Sequence, residues 1–398
     1  MSTETGKPDP ANEDAYEYGD RKTDDMSARE FRVGEGRISS YIAATFGVLC
    51  LLGVLCFRFP EQLTTPDLRE VYNVDYIRLL LKFGMWSTVV LGLLCIVRAK
   101  RRALAMVGLG SVALAWVLGG YGIEARSVQP SPVFAGVDWM VLDLFGSALL
   151  FIFIEKILPK YPDQVILRPE WRMDLLYFVF NHLLVGLFLL IGNGFAPLAF
   201  DWATNASFQT WMQSQALPIQ LLILVFAADF VQYWVHRSFH EVPFLWKFHA
   251  VHHCTEHMDW LAGSRNHVFQ TIADRSLVMV PLYLLGPSLD ALNFYVAIAA
   301  FQAVFVHANF GLRFGPLRYL IVTPQFHHWH HSKDDPALDT NYSVHTPIYD
   351  LLFRSFHLPK NFWPKEYGTV SPLPKTYLGQ FAYPFRAKKP AEPTDASE

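Results

Sequence analysis

Five long, nearly charge-free stretches limit what this chain can become: residues 38–57, 83–97, 103–121, 175–195 and 217–235. Most come close to the roughly 20 residues that span a bilayer. With 52% hydrophobic and 17% charged residues, the apolar side chains are gathered in blocks rather than spread around one soluble core. The fold class expected is all-α, a polytopic helical membrane bundle.

Lysine and arginine favour cytoplasmic loops. Arg98, Lys100, Arg101 and Arg102 follow the second stretch, and Lys156, Lys160, Arg168 and Arg172 precede the stretch at 175, whereas 197–216 holds no Lys or Arg. For both basic loops to share one side, the chain must cross twice between them, at 103–121 and at about 139–154, the shorter crossing. Arg78 and Lys82 sit at an outer end, where long basic side chains can snorkel. Residues 277–306 are expected to bend into a hairpin at Gly286-Pro287, since proline and glycine both interrupt a helix, with arms of about 22 Å. That hairpin would return His307 to the side where 217–235 delivers His236.

The acidic start, 1–36, lacks a basic segment and a small-residue cleavage site, so it reads as a disordered tail rather than a secretory signal. Residues 37–138 form additional N-terminal spans, 139–365 a catalytic domain and 366–398 a C-terminal tail. Formal charge is -3, and no basic patch is interleaved with aromatics, so nothing favours a nucleic-acid partner. Cys50, Cys56, Cys95 and Cys254 form no Cys-x-x-Cys pair, which leaves disulfide and thiolate-metal sites unsupported.

Nine of the fifteen histidines fall into a pattern: His236 and His240 in HRSFH, His249, His252 and His253 in HAVHH, a lone His307, and His327, His330 and His331 in HHWHH. On a helix, residues three and four apart share a face, so each box presents its imidazoles together. Neutral imidazole is a common metal ligand, and this many rings exceed what one tetrahedral site uses, which implies two metals. His328 is an alternative to His327. His257 and His267 are expected near ligands or substrate, His182 as a satisfied core residue, and His345 and His357 at the surface or in loops.

At these boxes the sequence resembles the fatty acid hydroxylase and sterol desaturase superfamily of membrane histidine-box enzymes. The resemblance rests on DFVQYWVHRSFH, LWKFHAVHHCTEHMDWLAGSRNH, VFVHANFG, PQFHHWHHS and DTNYSVHTPIYDLLF, within about 139–363. It implies a histidine-rich cap on the cytoplasmic side holding a di-iron centre, with His236, His240, His249, His252, His253, His327, His330 and His331 as catalytic ligands, His307 as a further ligand, and Asn309 as a candidate for a remaining position. It implies O2 as co-substrate, a lipid substrate from the membrane, and an external electron donor, whether cytochrome, ferredoxin or reductase. Arg354 stands where many relatives have a turn glycine.

A lipid C–H bond offers no acidity to a protein base, so an oxidant made from O2 is needed. Ligand imidazoles also need acceptors for their second nitrogens. Asp229, two turns before His236, is a candidate, and Asp339, Asp350, Glu256 and Asp259 lie close to boxes. Arg265 is expected to hold a carboxylate or head group, or to make a plain salt bridge; Trp329 and Tyr342 could equally pack.

The expected activity is thus hydroxylation or desaturation of a sterol or fatty-acyl lipid by a monooxygenase-type oxidoreductase. The alternative keeps the metals and moves the target to a lipid head group or ether lipid. A histidine-rich metal transporter is the non-enzyme alternative, disfavoured because transport needs ligands near mid-membrane. A zinc metalloprotease lacks its H-E-x-x-H.

Overall fold

The computed structural model describes residues 37–98, 102–124, 131, 133–360 and 362–386. The expected acidic tail, Lys100, Arg101 and the last twelve residues lie outside them. Among the described residues the chain is helical throughout, with a single isolated antiparallel bridge between Ser332 and Tyr367. Six of the described helices are long and apolar enough to cross a membrane: Ser39–Arg58, Val74–Arg98, Val137–Ile157, Val185–Ala203, Leu217–Glu241 and Val268–Leu285. Ala103–Val117 and Leu289–Phe305 are shorter and equally apolar.

The chain divides into two compact units. The first lies within Met1–Val54 and Asp75–Ile123. Inside it, Gly47 and Gly108 meet backbone to backbone with no room for a side chain on either, the close approach that small residues permit between membrane helices. The second comprises Leu55–Val74 and Glu124–Glu398 and carries every histidine of the sequence pattern. Its helix Val137–Ile157 leaves Leu142, Phe145, Leu149, Leu150 and Phe153 exposed, an apolar face suited to lipid tails.

Several expected boundaries move. The crossing expected at 139–154 extends over Val137–Ile157, 21 residues, about 31 Å at 1.5 Å per residue. The stretch 175–195 is two helices, Trp171–Leu183 and Val185–Phe200; the break falls where Gly186 passes against the Phe134 backbone more closely than any side chain allows. The hairpin does turn at Gly286-Pro287, between Val268–Leu285 and Leu289–Phe305. Gly286 caps the first arm at φ 55°, and Ser288 Oγ accepts the Ala291 N–H to start the second. The first arm begins at Val268, so it is 18 residues long, about 27 Å rather than 22 Å.

The segment set apart as a C-terminal tail is packed through Phe385. Tyr367 is buried, the Gly368 N–H donates to the His331 carbonyl, and Gln380 Oε1 accepts from the Tyr177 hydroxyl. Arg354 closes the helix Ile348–Phe353 at φ 64°, so the turn expected to want glycine is made by a residue that pays about 1–2 kcal/mol for that conformation.

Candidate metal centre

The first box rides at the end of a span. Leu217–Glu241 is one helix of 25 residues, so His236 and His240 leave its last turns on one face. Val242 then goes extended ahead of Pro243, which cannot continue a helix but starts one well. Pro243–His253 presents His249, His252 and His253. His307 lies one residue beyond Leu289–Phe305, after the cap residue Val306. The third box is the short helix Pro324–His330, capped by Thr323 Oγ1 on the Phe326 N–H.

These elements bring the nine patterned histidines into two adjacent groups. His236, His240, His249, His253 and His330 form one, and His252, His307, His327 and His331 the other; within each, the facing nitrogens all lie within 4.8 Å of one another. Closest Nε2 separations are 2.9 Å for His236–His249, 3.1 Å for His249–His253, 3.2 Å for His252–His307, 3.0 Å for His307–His327 and 3.1 Å for His327–His331. Two nitrogens at right angles on an ion about 2.1 Å away would be roughly 3.0 Å apart. The groups touch where the His253 and His331 rings stack at 4.3 Å.

In five of the nine rings a hydrogen bond at the outer nitrogen fixes the orientation, whereas the buried Nδ1 atoms of His249, His327 and His331 have no partner. Nδ1–H donates to a carbonyl in His236 (Tyr342, 2.7 Å), His252 (Arg265, 3.1 Å), His307 (Ala303, 2.8 Å) and His330 (Thr340, 2.8 Å), and in His240 to Asp339 Oδ1 at 3.2 Å. A carbonyl only accepts, so Nδ1 carries the proton and Nε2 turns a lone pair inward. The buried Nε2 atoms of His240 and His330 have no hydrogen-bond partner, although buried polar atoms are normally paired. The residues therefore fit a pair of metal ions.

Burial, and then the repulsion of neighbouring rings, hold His249, His252, His253, His327, His330 and His331 well below the ordinary histidine pKa. Burial lowers His307 to about 4. The rings are thus neutral and able to bind metal over the physiological range.

The carboxylates sit differently from expectation. Among the described residues only Asp339, of the carboxylates singled out in the sequence, bonds a patterned histidine. Asp229 shares the face of His236 but accepts the N–H groups of Val344 (2.8 Å), His345 (3.0 Å) and Thr346 (2.8 Å); it holds the loop whose Tyr342 carbonyl holds His236. Asp350 accepts the Tyr342 and Ser343 N–H groups at 2.8 and 2.9 Å from the other side. Asp259 pairs with Arg168, and Glu256 makes no bond to a box histidine.

The Asn309 and Arg265 side chains are held by other partners. Asn309 is clipped to the Tyr161 backbone, Oδ1 accepting the Tyr161 N–H (2.8 Å) and Nδ2 donating to its carbonyl (3.0 Å). The Arg265 guanidinium is buried against Asp174 at 2.6 Å and Glu170 at 3.2 Å. Burial opposes its charge, but Asp174 outweighs that and raises its pKa. Arg265 serves the site through its carbonyl, and its side chain makes the plain salt bridge.

Among the remaining histidines, His328 donates to the His307 carbonyl at 3.3 Å and faces the Tyr367 hydroxyl at 3.0 Å, outside the metal groups. His267 caps Val268–Leu285 by accepting the Phe269 N–H and bonds the Phe381 carbonyl. His182 is satisfied by the Phe178 carbonyl and Asp143, each at 2.8 Å. His345 is buried beside Tyr295, not at the surface.

Sequence reading missed Glu155, whose Oε1 accepts the N–H groups of Trp260 (2.8 Å) and Asn309 (3.0 Å) and so ties two loops of the site together. It also missed the buried Arg168–Asp174–Arg265 network. Burial puts Arg168 out of the count of surface charge in the basic loop.

Fold and site together define a helical membrane protein whose two buried histidine groups, at the ends of its spans, could each hold a metal ion. Residues 221–355 match the family model for fatty acid hydroxylase. The chain is 34% identical over 178 residues to the ornithine lipid hydroxylase OlsE of Rhizobium tropici, covering 45% of this chain and 54% of that protein. It is 27% identical over 154 residues to an alkylglycerol monooxygenase of Caenorhabditis elegans (39% and 30%) and 26% over 187 residues to the very-long-chain aldehyde decarbonylase GL1-7 of Oryza sativa subsp. japonica (44% and 28%). The chain thus spans just over half the length of the first relative and less than a third of the other two. No solved structure matches it.

Proposed function

We propose that this chain is a membrane-bound lipid hydroxylase with a di-iron histidine centre, working on a C–H bond near the polar end of its lipid. The observation that carries the reading is the pair of buried histidine groups at the ends of apolar spans. His236, His240, His249, His253 and His330 would hold one iron, and His252, His307, His327 and His331 the other. Bound there, the irons would supply an oxidant made from O2 and two external electrons.

The chain's own contribution is orientation and exclusion of water. Four carbonyls and Asp339 keep the lone pairs of five rings aimed inward, and burial keeps all of the rings neutral. A separate cytochrome, ferredoxin or reductase would deliver the electrons. We assign the histidine face to the cytoplasmic side, as Lys156, Lys160 and Arg172 suggest.

The depth of the centre favours the head-group or ether end over a mid-chain or sterol target. His236 and His240 leave the last turns of one span, and His307 follows the end of another apolar helix. Similarity to proteins named ornithine lipid hydroxylase and alkylglycerol monooxygenase supports the same preference.

The test is lipid analysis of membranes from cells lacking the protein, complemented with wild type or with His252→Ala, grown under isotopically labelled O2. Wild type should restore a lipid carrying one labelled hydroxyl near its polar end, and His252→Ala should not. An unlabelled alkene would replace this reading by desaturation, and an unchanged lipid profile would remove it.

A further inference from the structure

Between His307 and the third box the chain runs along an exposed, apolar and basic surface. Leu312, Leu317, Leu320 and Ile321 are 43%, 53%, 65% and 40% exposed, interleaved with Arg313 and Arg318. Soluble surfaces scatter such residues singly; here four lie within ten positions beside two cations. That composition suits a segment lying in the interfacial layer of a bilayer, aliphatic groups down and cations at head-group level.

The same segment walls a cavity of about 380 Å³ lined by Arg313, Arg318 and Lys360 together with Tyr319 and Gln325. Its lining brings three cations together and includes no acidic side chain. Among the described residues none of the three has a carboxylate partner. Arg318 is parked with its guanidinium 5.0 Å over the Tyr319 ring and Nη2 donating to the Tyr319 hydroxyl at 3.0 Å, while its buried Nε has no partner. Gln325 is pinned to the Phe362 carbonyl at 2.7 Å and lies two residues ahead of His327.

Three cations lining one recess without an acidic side chain, one of them with an unmatched buried donor, suit an anion that accepts several hydrogen bonds at once, as phosphate does from arginine. We propose that this cavity binds the phosphate of an anionic bilayer lipid. An acidic protein partner would match the charge but leave the four aliphatic side chains without a role, whereas a lipid surface uses both. The site would gather anionic lipid next to the third box. The inference rests on the membrane reading of the chain and not on the metal chemistry, so its failure would leave the hydroxylase proposal standing.

The test uses the full chain reconstituted in phosphatidylcholine vesicles, with spin-labelled phosphatidylglycerol or spin-labelled phosphatidylcholine as probe. Wild type should immobilise the glycerol lipid preferentially. Replacing Arg313, Arg318 and Lys360 together by glutamine should weaken that preference about tenfold or more, with an unchanged thermal-unfolding curve as the sign of an intact fold. Should the triple variant not fold, Arg318→Gln alone and the wild-type comparison of the two probes still decide.

Equal immobilisation of both probes by wild type, or an unchanged preference in a folded variant, would overturn the proposal. So would displacement of the probe by inorganic phosphate as readily as by phosphatidylglycerol, which would mark a soluble-anion site. Loss of reduction by an acidic ferredoxin with lipid preference intact would make the surface a protein-docking face instead.

Discussion

Gly263 lies directly beneath the His307 ring: a Cβ at this position would meet Nδ1 at 2.8 Å and the Ala303 carbonyl at 3.0 Å. Those two atoms are joined by the 2.8 Å hydrogen bond that orients the ring. Gly263→Ala therefore drives a methyl into that bond, an overpacking that costs about 1–3 kcal/mol. The variant should lose metal from the four-histidine group, keep it in the other, and unfold at a lower temperature. Full metal content together with a wild-type melting curve would show that His307 does not depend on this contact.

Asp229→Ala takes away the acceptor for three backbone N–H groups at once. Each one left buried and unpaired costs about 1–3 kcal/mol, so a large drop in melting temperature is expected. Metal affinity should fall as well, since the loop Asp229 holds carries the Tyr342 carbonyl that orients His236. Asp229→Asn keeps one acceptor oxygen and should do less damage on both measures. Thermal unfolding and metal titration of the two variants check the order; equal behaviour would contradict it.

Arg354→Gly should stabilise. Arg354 is exposed and its φ of 64° disfavours any side chain, while glycine adopts it freely. Some of the gain is lost to the greater freedom of glycine in the unfolded chain, leaving about 1 kcal/mol. A rise in melting temperature with unchanged metal content is the expected outcome, and a fall would mean that the arginine side chain makes an energetically important contact.

Acid should destabilise the metal-free protein. The box histidines bind protons less readily folded than unfolded, where the ordinary value is 6.5. Above that pH both states are neutral and the effect vanishes. Below it the unfolded chain takes up protons that the folded chain refuses, so stability is lost as pH falls from 6.5 through about 4, the value of His307. Metal should shift the loss to lower pH, because protons must then displace it. A flat melting temperature across that window in the metal-free protein would contradict the buried, neutral rings.

The histidine groups were legible because their spacing is helical. His249, His252 and His253 on one turn, and His327, His330 and His331 on another, announce a shared face before any fold is known. The assignment of His253 to one group and His252 to the other was not legible, since it depends on how Pro243–His253 crosses the end of the preceding span. Nor were the acceptors: four of the five are backbone carbonyls, which every residue has and no sequence distinguishes. Asp229 looked like a partner for His236 because both lie on one helix face. It reaches the same loop as His236 and takes hold of its N–H groups instead. Glu155 drew no attention because it sits at the end of an apolar span, far in sequence from the two loops it joins.

The Gly368 N–H reaches back to the carbonyl of His331, the Tyr367 hydroxyl to the ring of His328, and the Phe381 carbonyl to His267. During synthesis the three boxes leave the ribosome well before residues 367–381 do. Until those residues emerge, the third box has no backing on that side, and a nascent chain would hold its rings loosely. If the two histidine groups bind metal as proposed, loading would be favoured only once translation has passed this point, and a chain truncated before Tyr367 should bind it more weakly.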